Sequence, residues 1–212
     1  KKPSETTDVL LISHLTNVSQ LTQNNDFYYG DLANNLKAAG ISTHTILINH
    51  CRAGTESVKK TCRTNTTILP VFQAASTELL NIVRLMMAAL TIQKTQTTIL
   101  NDHFIRLARV AQFGNRAIGD LRIGQMLTQI ISVMQPRVVI YTFEGHGWEK
   151  IVAKASHALT CPAHVIGYQH AVVFPGDKTL YHNSGGGTVP DHIFTSGHVT
   201  RRLLSNKLTF HR

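Results

Sequence analysis

One stretch, residues 137–170, constrains the fold more than any other part of the chain. It begins with an apolar, β-branched run at 137–143, passes through a polar turn and a helical pattern at 148–159, and ends in a second apolar run at 163–169. A buried strand, a covering helix and a second buried strand are the repeating unit of a parallel α/β sheet. The stretch therefore predicts a crevice outside the carboxyl ends of two strands, where open α/β sheets bind ligands.

The rest of the chain continues this alternation. Strands are predicted at 8–16, 42–49, 67–71 and 191–196, and helices at 32–39, 76–94, 98–113, 119–134 and 198–205. The predicted fold class is α/β, a three-layer Rossmann-like sandwich with a mostly parallel sheet. We expect one domain over 1–212, with a helical insertion at about 75–135 and a glycine-containing loop at 175–189 that covers the strand ends.

Ionisable side chains follow both strands of the first stretch. Glu144 comes directly after the apolar run, and a partly desolvated carboxyl there has a raised pKa that suits a general acid or base near neutral pH. His170 ends the next strand and is predicted to face the same crevice. The structural alternatives are that Glu144 caps the following helix or pairs with Arg137 or Lys150, and that His170 bonds to backbone in the core.

Further polar groups are candidates for substrate binding. Amides and hydroxyls in the loop after the first strand suit hydrogen bonding to a polyol, although an ordinary polar surface loop has the same composition. His146, between two glycines, suits a phosphate or a sugar. Trp148 is expected to pack the helix on the sheet, and Glu149 to be a surface or structural charge favoured by the helix dipole. The predicted substrate contacts are Asn17, Ser19, Tyr29, Gly30, His146, Gln169 and His182.

Several functional classes are disfavoured. The chain lacks GxGxxG and GxxxxGK[ST], which disfavours NAD and P-loop chemistry, and it lacks HExxH and any Cys–His cluster, so neither a metal nor another cofactor is predicted. Three cysteines without a CxxC pair indicate a reducing cytoplasm. The net charge of +9 favours anionic partners, such as a phosphorylated substrate or an acidic membrane face, but the scattered basic residues do not predict nucleic acid.

Four segments together resemble a known family. They are the apolar first strand with its polar loop and Phe-Tyr-Tyr-Gly-Asp-Leu, the turn Tyr-Thr-Phe-Glu-Gly-His-Gly-Trp-Glu, the strand end Ile-Gly-Tyr-Gln-His, and Pro-Asp-His-Ile-Phe-Thr-Ser-Gly. They look like the amino-terminal, acceptor-side half of a GT-B glycosyltransferase of bacterial capsule or lipopolysaccharide O-antigen synthesis, including relatives of Kdo transferases. The nucleotide-sugar-binding second half of such an enzyme is expected to be absent from this chain.

The resemblance implies transfer of a sugar from a nucleotide-activated donor, itself a substrate and not a cofactor, to a bacterial surface glycan or lipid-linked acceptor. Glu144 would take the catalytic acid/base position, and His170 would line the donor-phosphate or acceptor site. The expected location is the cytoplasm, with peripheral association at the inner membrane. The alternatives are a non-catalytic module that binds glycan or a partner protein, and a flavodoxin-like or periplasmic-binding-like ligand domain.

Overall fold

The computed structural model describes residues 7–51, 65–91, 110–111, 114–173, 180 and 186–207. Within them lies a six-stranded sheet of order β3-β2-β1-β4-β5-β6, and all five strand pairings are parallel. Helices connect the strands and cover the sheet. The predicted α/β, Rossmann-like fold with a parallel sheet is confirmed.

The elements match the predicted order. The strands are β1 (Val9–Leu15), β2 (Thr43–Asn49), β3 (Thr66–Ile68), β4 (Val138–Thr142), β5 (His164–Gln169) and β6 (His192–Thr195). The helices are α1 (Leu32–Ala38), α2 (Ala75–Thr91), α3 (Asn115–Met134), α4 (Gly147–His157) and α5 (His198–Lys207), with a 3₁₀ turn at Val18–Thr22. The predicted helix at 98–113 lies almost entirely outside the described residues, as does most of the predicted loop at 175–189.

The main core lies between one face of the sheet and the pair α3 and α4. Leu10 and Ile12 of β1 are fully buried there, together with Leu127 of α3 and Val152 of α4. The two helices pack closely because Gly124 has no side chain: a Cβ at this position would lie 2.6 Å from Ile151 Cδ1. This packing fixes α4, and with it the polar turn that precedes α4, against the end of β4.

The start of α3 differs from the sequence prediction, and its end agrees with it. α3 begins near residue 115, whereas the sequence predicted a start at Gly119. Gly114 occupies the N-cap, and Gly119 lies inside the helix. A single interior glycine weakens a helix by about 1 kcal/mol but does not end it. At the other end Gln135 adopts a left-handed conformation (φ 47°) directly before Pro136, which ends the helix as predicted.

The other face of the sheet is covered less completely. A small apolar cluster of Leu15, Leu21 and Leu47 lies under the loop after β1. α1 contributes no buried residue to this face, so the described residues leave the surface of β2 beside it partly open. Among the described residues, no helix has the length and apolar character required to cross a bilayer.

The predicted insertion contributes α2 and α3, which lie between β3 and β4 in the chain. They are joined by an ion pair in which Arg122 Nε and Nη2 donate to Glu78 at 2.5 and 2.8 Å. Both side chains are less than one-fifth exposed. The insertion therefore packs on the sheet through α3, and this pair is one of the contacts that attach α2 to α3.

Candidate active site

The candidate site lies where the strand order reverses. β1 is flanked by β2 on one side and by β4 on the other, so the carboxyl ends of β1 and β4 form the switch point at which open α/β sheets bind ligands. A side-chain contact joins the two ends, since His14 Nε2 lies 2.7 Å from Thr142 Oγ1. Beside this contact is a cleft of about 500 Å³. We call it the acid–base cleft; it is lined by His14, Tyr28, His50, Arg116, Glu144 and His146, among others.

Glu144 lies between two imidazoles. His146 Nε2 is 3.2 Å from its Oε2, and His170 Nε2 is 3.2 Å from its Oε1. Parallel pairing of β4 with β5 brings the two strand ends side by side, so the structure places Glu144 and His170 together as the sequence predicted. Each carboxylate oxygen has one imidazole partner, and all three side chains keep about one-quarter to one-third of their surface exposed.

The partners of His146 determine its neutral tautomer. Arg116 Nη2 lies 3.4 Å from His146 Nδ1, and a guanidinium can only donate, so Nδ1 is the acceptor. The proton of the neutral ring is therefore on Nε2, which donates to Glu144. This arrangement leaves the basic nitrogen of His146 on the side of Arg116, away from the carboxylate that orients the ring.

The hydrogen bond between these two residues shifts both pKa values. It raises the pKa of His146. It also lowers the pKa of Glu144 against the opposing effect of burial, and the electrostatic interaction of Glu144 with His170 acts in the same direction. The sequence prediction of a raised pKa for Glu144 is wrong, because it considered desolvation but not the imidazoles. Glu144 is a carboxylate at neutral pH, and His146 is the group that binds a proton more readily than usual.

A second pair of imidazoles forms the back of the cleft. His14 Nδ1 lies 2.7 Å from His50 Nε2, and His14 is only 5% exposed. Burial, and after it the neighbouring His50, lower the pKa of His14 to about 4. His14 is therefore neutral at physiological pH and holds the ends of β1, β2 and β4 together through hydrogen bonds.

Glu149 supports the turn that carries Glu144. Its carboxylate accepts the backbone N–H of Glu144 at Oε1 and that of Gly145 at Oε2, both at 2.9 Å, and Gly145 takes a left-handed φ of 83°. Glu149 is 1% exposed, and this burial raises its pKa to about 7 against the opposing backbone hydrogen bonds. Of the two predicted roles, a surface or a structural charge, the structure supports the structural one, since Glu149 is buried and positions the turn.

Trp148 packs as predicted. It is 2% exposed, and its ring is stacked at 6.3 Å on His146 and lies edge-on to Tyr141 at 5.8 Å. The indole thus lies beside the His146 ring in a nearly parallel orientation, and this contact favours the observed orientation of the imidazole. The contacts of Trp148 that pack α4 on the sheet therefore also help to orient His146.

The predicted substrate contacts have separate locations. Asn17 caps the 3₁₀ turn by accepting the N–H of Ser19, and the hydroxyl of Tyr29 donates to the carbonyl of Ile12 at 2.7 Å. Gln169 is 1% exposed inside β5. Gly30 has a φ of 57° and lines a different cavity, described below. The structure thus brings His146 to Glu144 but not these residues, and His182 lies outside the described part of the chain; their role in binding stays a prediction.

Sequence reasoning missed the contributions from β1 and from α3. His14 lies inside an apolar run, where an imidazole is easily interpreted as part of the core, and Arg116 lies in a helix 28 residues before Glu144. Alternation along β1 was the available signal: residues 10, 12 and 14 lie on one face, which places His14 at the carboxyl end on the same side as α3 and α4. Within the described residues, no group of three or more His, Cys, Asp or Glu side chains is arranged to hold a metal ion.

Comparisons with known proteins give little similarity. No family model and no curated protein matches the chain. A solved structure of a short-chain dehydrogenase from Streptomyces avermitilis is similar over 97% of this chain and 80% of its own, with 12% sequence identity and a TM-score of 0.30. A similarity this small carries no argument about function.

The assignment to the GT-B glycosyltransferases is wrong. It rested on four short segments, and none of the comparisons gives a glycosyltransferase. The physical reason is that apolar strands ending in polar turns recur throughout α/β proteins, so such segments report the architecture and not the family. The fold prediction survives this correction because it depends on the alternation of strands and helices.

Proposed function

We propose that this chain is an enzyme that transfers a proton to or from a hydroxyl-bearing substrate in the acid–base cleft, with Glu144 and His146 acting as one pair. The observation that carries the proposal is the 3.2 Å contact between Glu144 Oε2 and His146 Nε2 at the switch point of the sheet. A carboxylate that orients an imidazole and stabilises its protonated form is a recurrent means of making histidine a general base.

The two residues have different roles. In the proposed step Arg116 turns from His146 to the negative group of the substrate, and His146 Nδ1 then accepts the proton of the substrate hydroxyl while the Nε2–H stays hydrogen-bonded to Glu144. Glu144 carries the negative charge that stabilises the resulting imidazolium, which agrees with the raised pKa of His146 and the lowered pKa of Glu144. The sequence prediction named Glu144 as the acid or base itself; the geometry favours His146 for the proton and Glu144 for its orientation.

The surroundings of the pair favour a substrate with a negative group. Arg116 is exposed at the cleft, beside His146, and the whole chain has a net charge of +9. A guanidinium in this place is suited to a phosphate or carboxylate on the substrate. Sugar transfer from a nucleotide-activated donor is one reaction that uses such groups; it stays a prediction, as does peripheral association with an acidic membrane.

The first test measures the pair directly. The imidazole of His146 is titrated by ¹H–¹⁵N NMR in the wild type and in Glu144→Gln. We expect a lower pKa of His146 in the variant, because the amide removes the carboxylate that raises it. The control is Asp31→Asn, which removes an exposed carboxylate outside the cleft and should leave the titration of His146 unchanged.

The second test measures turnover of nucleotide sugars with added oligosaccharide acceptors. Glu144→Gln and His146→Gln should each lower the rate by about 10²–10⁴-fold, the usual contribution of a general acid or base. Turnover that is the same in these variants as in the wild type would refute the proposal. Retained ligand binding by a wild type that shows no turnover would favour the alternative, a non-catalytic binding module.

A further inference from the structure

A second cavity lies on the other face of the sheet from α3 and α4. It has a volume of about 380 Å³ and is bounded by α1, β2, the start of β3 and the loop after β1. We call it the amide-lined cavity, because five of its lining residues are Asn or Gln and three more are Thr. Its charged lining residues among the described ones are Asp26 and Lys37.

The sequence explains why this cavity exists. Residues 43, 45 and 47 of β2 face one side of the sheet, and the first two are Thr where a helix-covered strand usually has apolar residues. α1 has only seven residues and buries none of them, so it does not fill the space over these hydroxyls. Thr43 and Thr45 are half-buried, and their hydroxyls have no hydrogen-bond partner within the described residues.

The polar groups of the cavity are mixed donors and acceptors. An Asn or Gln amide presents both an N–H₂ donor and a carbonyl acceptor, and a Thr hydroxyl does both with one oxygen. The side-chain amides of Asn24 and Asn25, which also line the cavity, likewise have no partner among the described residues. Such a set matches a ligand whose own groups both donate and accept, as alcohol hydroxyls do.

Two further residues complete the cavity. Asp26 is held in place because Ser13 Oγ and the backbone N–H groups of Tyr28 and Tyr29 all donate to its Oδ1, at 2.8 to 3.0 Å. Its Oδ2 accepts no hydrogen bond from the described residues and remains for a ligand. Phe27 also lines the cavity with 68% of its surface exposed, which leaves its ring face available to the C–H face of a ligand.

We propose that the amide-lined cavity binds a neutral polyhydroxylated ligand, a sugar. A sugar's hydroxyls and its apolar face are recognised by groups of the kind present here: the unpartnered side chains of Asn24, Asn25, Thr43 and Thr45, the positioned carboxylate of Asp26 and the exposed ring of Phe27. An anion is a poorer match, because Asp26 would repel it and Lys37 is the one Lys or Arg among the lining residues described. Binding here does not depend on the acid–base function proposed above, although the two cavities share one lining residue, His14.

The test is binding of named probes to the full 212-residue chain. D-glucose, D-galactose, D-mannose and N-acetyl-D-glucosamine are each titrated by saturation-transfer NMR and calorimetry, with inorganic phosphate as the anionic probe. We expect millimolar binding of at least one sugar. Thr45→Val keeps the shape and β-propensity of the strand and removes one hydroxyl, so it should weaken that sugar by about three- to tenfold. Phe27→Ala should weaken it as well.

The matched control is Thr195→Val, which makes the same change at a half-buried position of β6 outside the cavity. Unchanged sugar affinity in this variant and in Glu144→Gln supports the assignment and keeps it separate from the acid–base proposal. The proposal is overturned if none of the four sugars binds, if Thr45→Val binds as well as the wild type, or if phosphate displaces the sugar.

Discussion

The pH dependence of stability depends strongly on Glu149, which makes Glu149→Gln the most informative perturbation of this structure. Burial raises the pKa of Glu149 from its usual 4.5 to about 7. The folded state therefore binds more protons than the unfolded state between these two pH values, so this group makes the free energy of unfolding fall as pH rises through the interval. At about 1.36 kcal/mol per pKa unit, the fall amounts to about 3 kcal/mol.

Glutamine cannot ionise, so the variant lacks this term. We expect the free energy of unfolding of Glu149→Gln minus that of the wild type to rise by about 3 kcal/mol from pH 4.5 to pH 7.5 and then to level off. This difference is measured by urea unfolding at a series of pH values, with the fluorescence of Trp148 as the probe. Trp148 is the sole tryptophan of the chain, is buried and is adjacent to the substituted residue. The contribution of His14 cancels, since it is common to both proteins.

Glu144→Gln is the matched control, because it makes the same chemical change five residues away with the opposite expected sign. The pKa of Glu144 is lowered, so its ionised form stabilises the folded state above pH 4.5 and that stability is lost as pH falls. Below pH 4.5, the free energy of unfolding of this variant minus that of the wild type should therefore fall as pH rises. The reasoning is refuted if the difference for Glu149→Gln is independent of pH or falls with it.

Two further outcomes concern packing around the site. Gly124→Ala should destabilise the protein by about 1–3 kcal/mol, because its Cβ would lie 2.9 Å from Ile151 Cβ. Gly119→Ala, in the same helix with nothing within 4 Å, should stabilise the protein by up to about 1 kcal/mol. Equal effects of the two substitutions in denaturant unfolding would contradict the close contact between the helices. Glu78→Gln should cost about 1.5–3 kcal/mol by the same measurement, since it removes the carboxylate that accepts two hydrogen bonds from Arg122, and an unchanged midpoint would show that the pair does not hold α2.

The sequence predicts the fold well because the fold depends on a long-range pattern. β1 is buried at all seven positions, and an apolar run of this length has few alternatives to a central parallel strand. The neighbourhood of Glu144 and His170 was also predictable, since both follow strands of one βαβ unit and parallel strands end at the same edge. Here the local sequence is enough, because the connection is short and its handedness is fixed.

The electrostatics of the site were not predictable in the same way. The pKa of Glu144 depends on His146. The orientation of the His146 ring depends in turn on Trp148, which lies beside it, and on Arg116, which belongs to a helix of the insertion. These contacts depend on distances between atoms, which the spacing of the residues along the chain does not determine. The same holds for Glu149, because its burial follows from the packing of α4 and not from its place in the first helical turn.

The last prediction concerns the hydrogen bond between β1 and β4. Loss of this bond and loss of apolar burial predict opposite orders of stability for two variants of Thr142. Thr142 is fully buried, and its hydroxyl lies 2.7 Å from His14 Nε2. Thr142→Val keeps the side-chain volume but leaves a buried ring nitrogen without a partner, at a cost of about 1–3 kcal/mol. Thr142→Ser keeps the hydroxyl and loses one buried methyl group, worth about 0.8 kcal/mol.

Loss of apolar burial alone would make the serine variant the less stable of the two. The hydrogen bond makes the valine variant less stable, although it retains more buried apolar surface, and this is the order we expect in urea unfolding at pH 7, where His14 is neutral. The reverse order would mean that the contact between His14 and Thr142 does not stabilise the switch point. The strand ends would then be held in place by the apolar core alone, and the His14–His50 pair would have no structural reason to be buried beside the acid–base cleft.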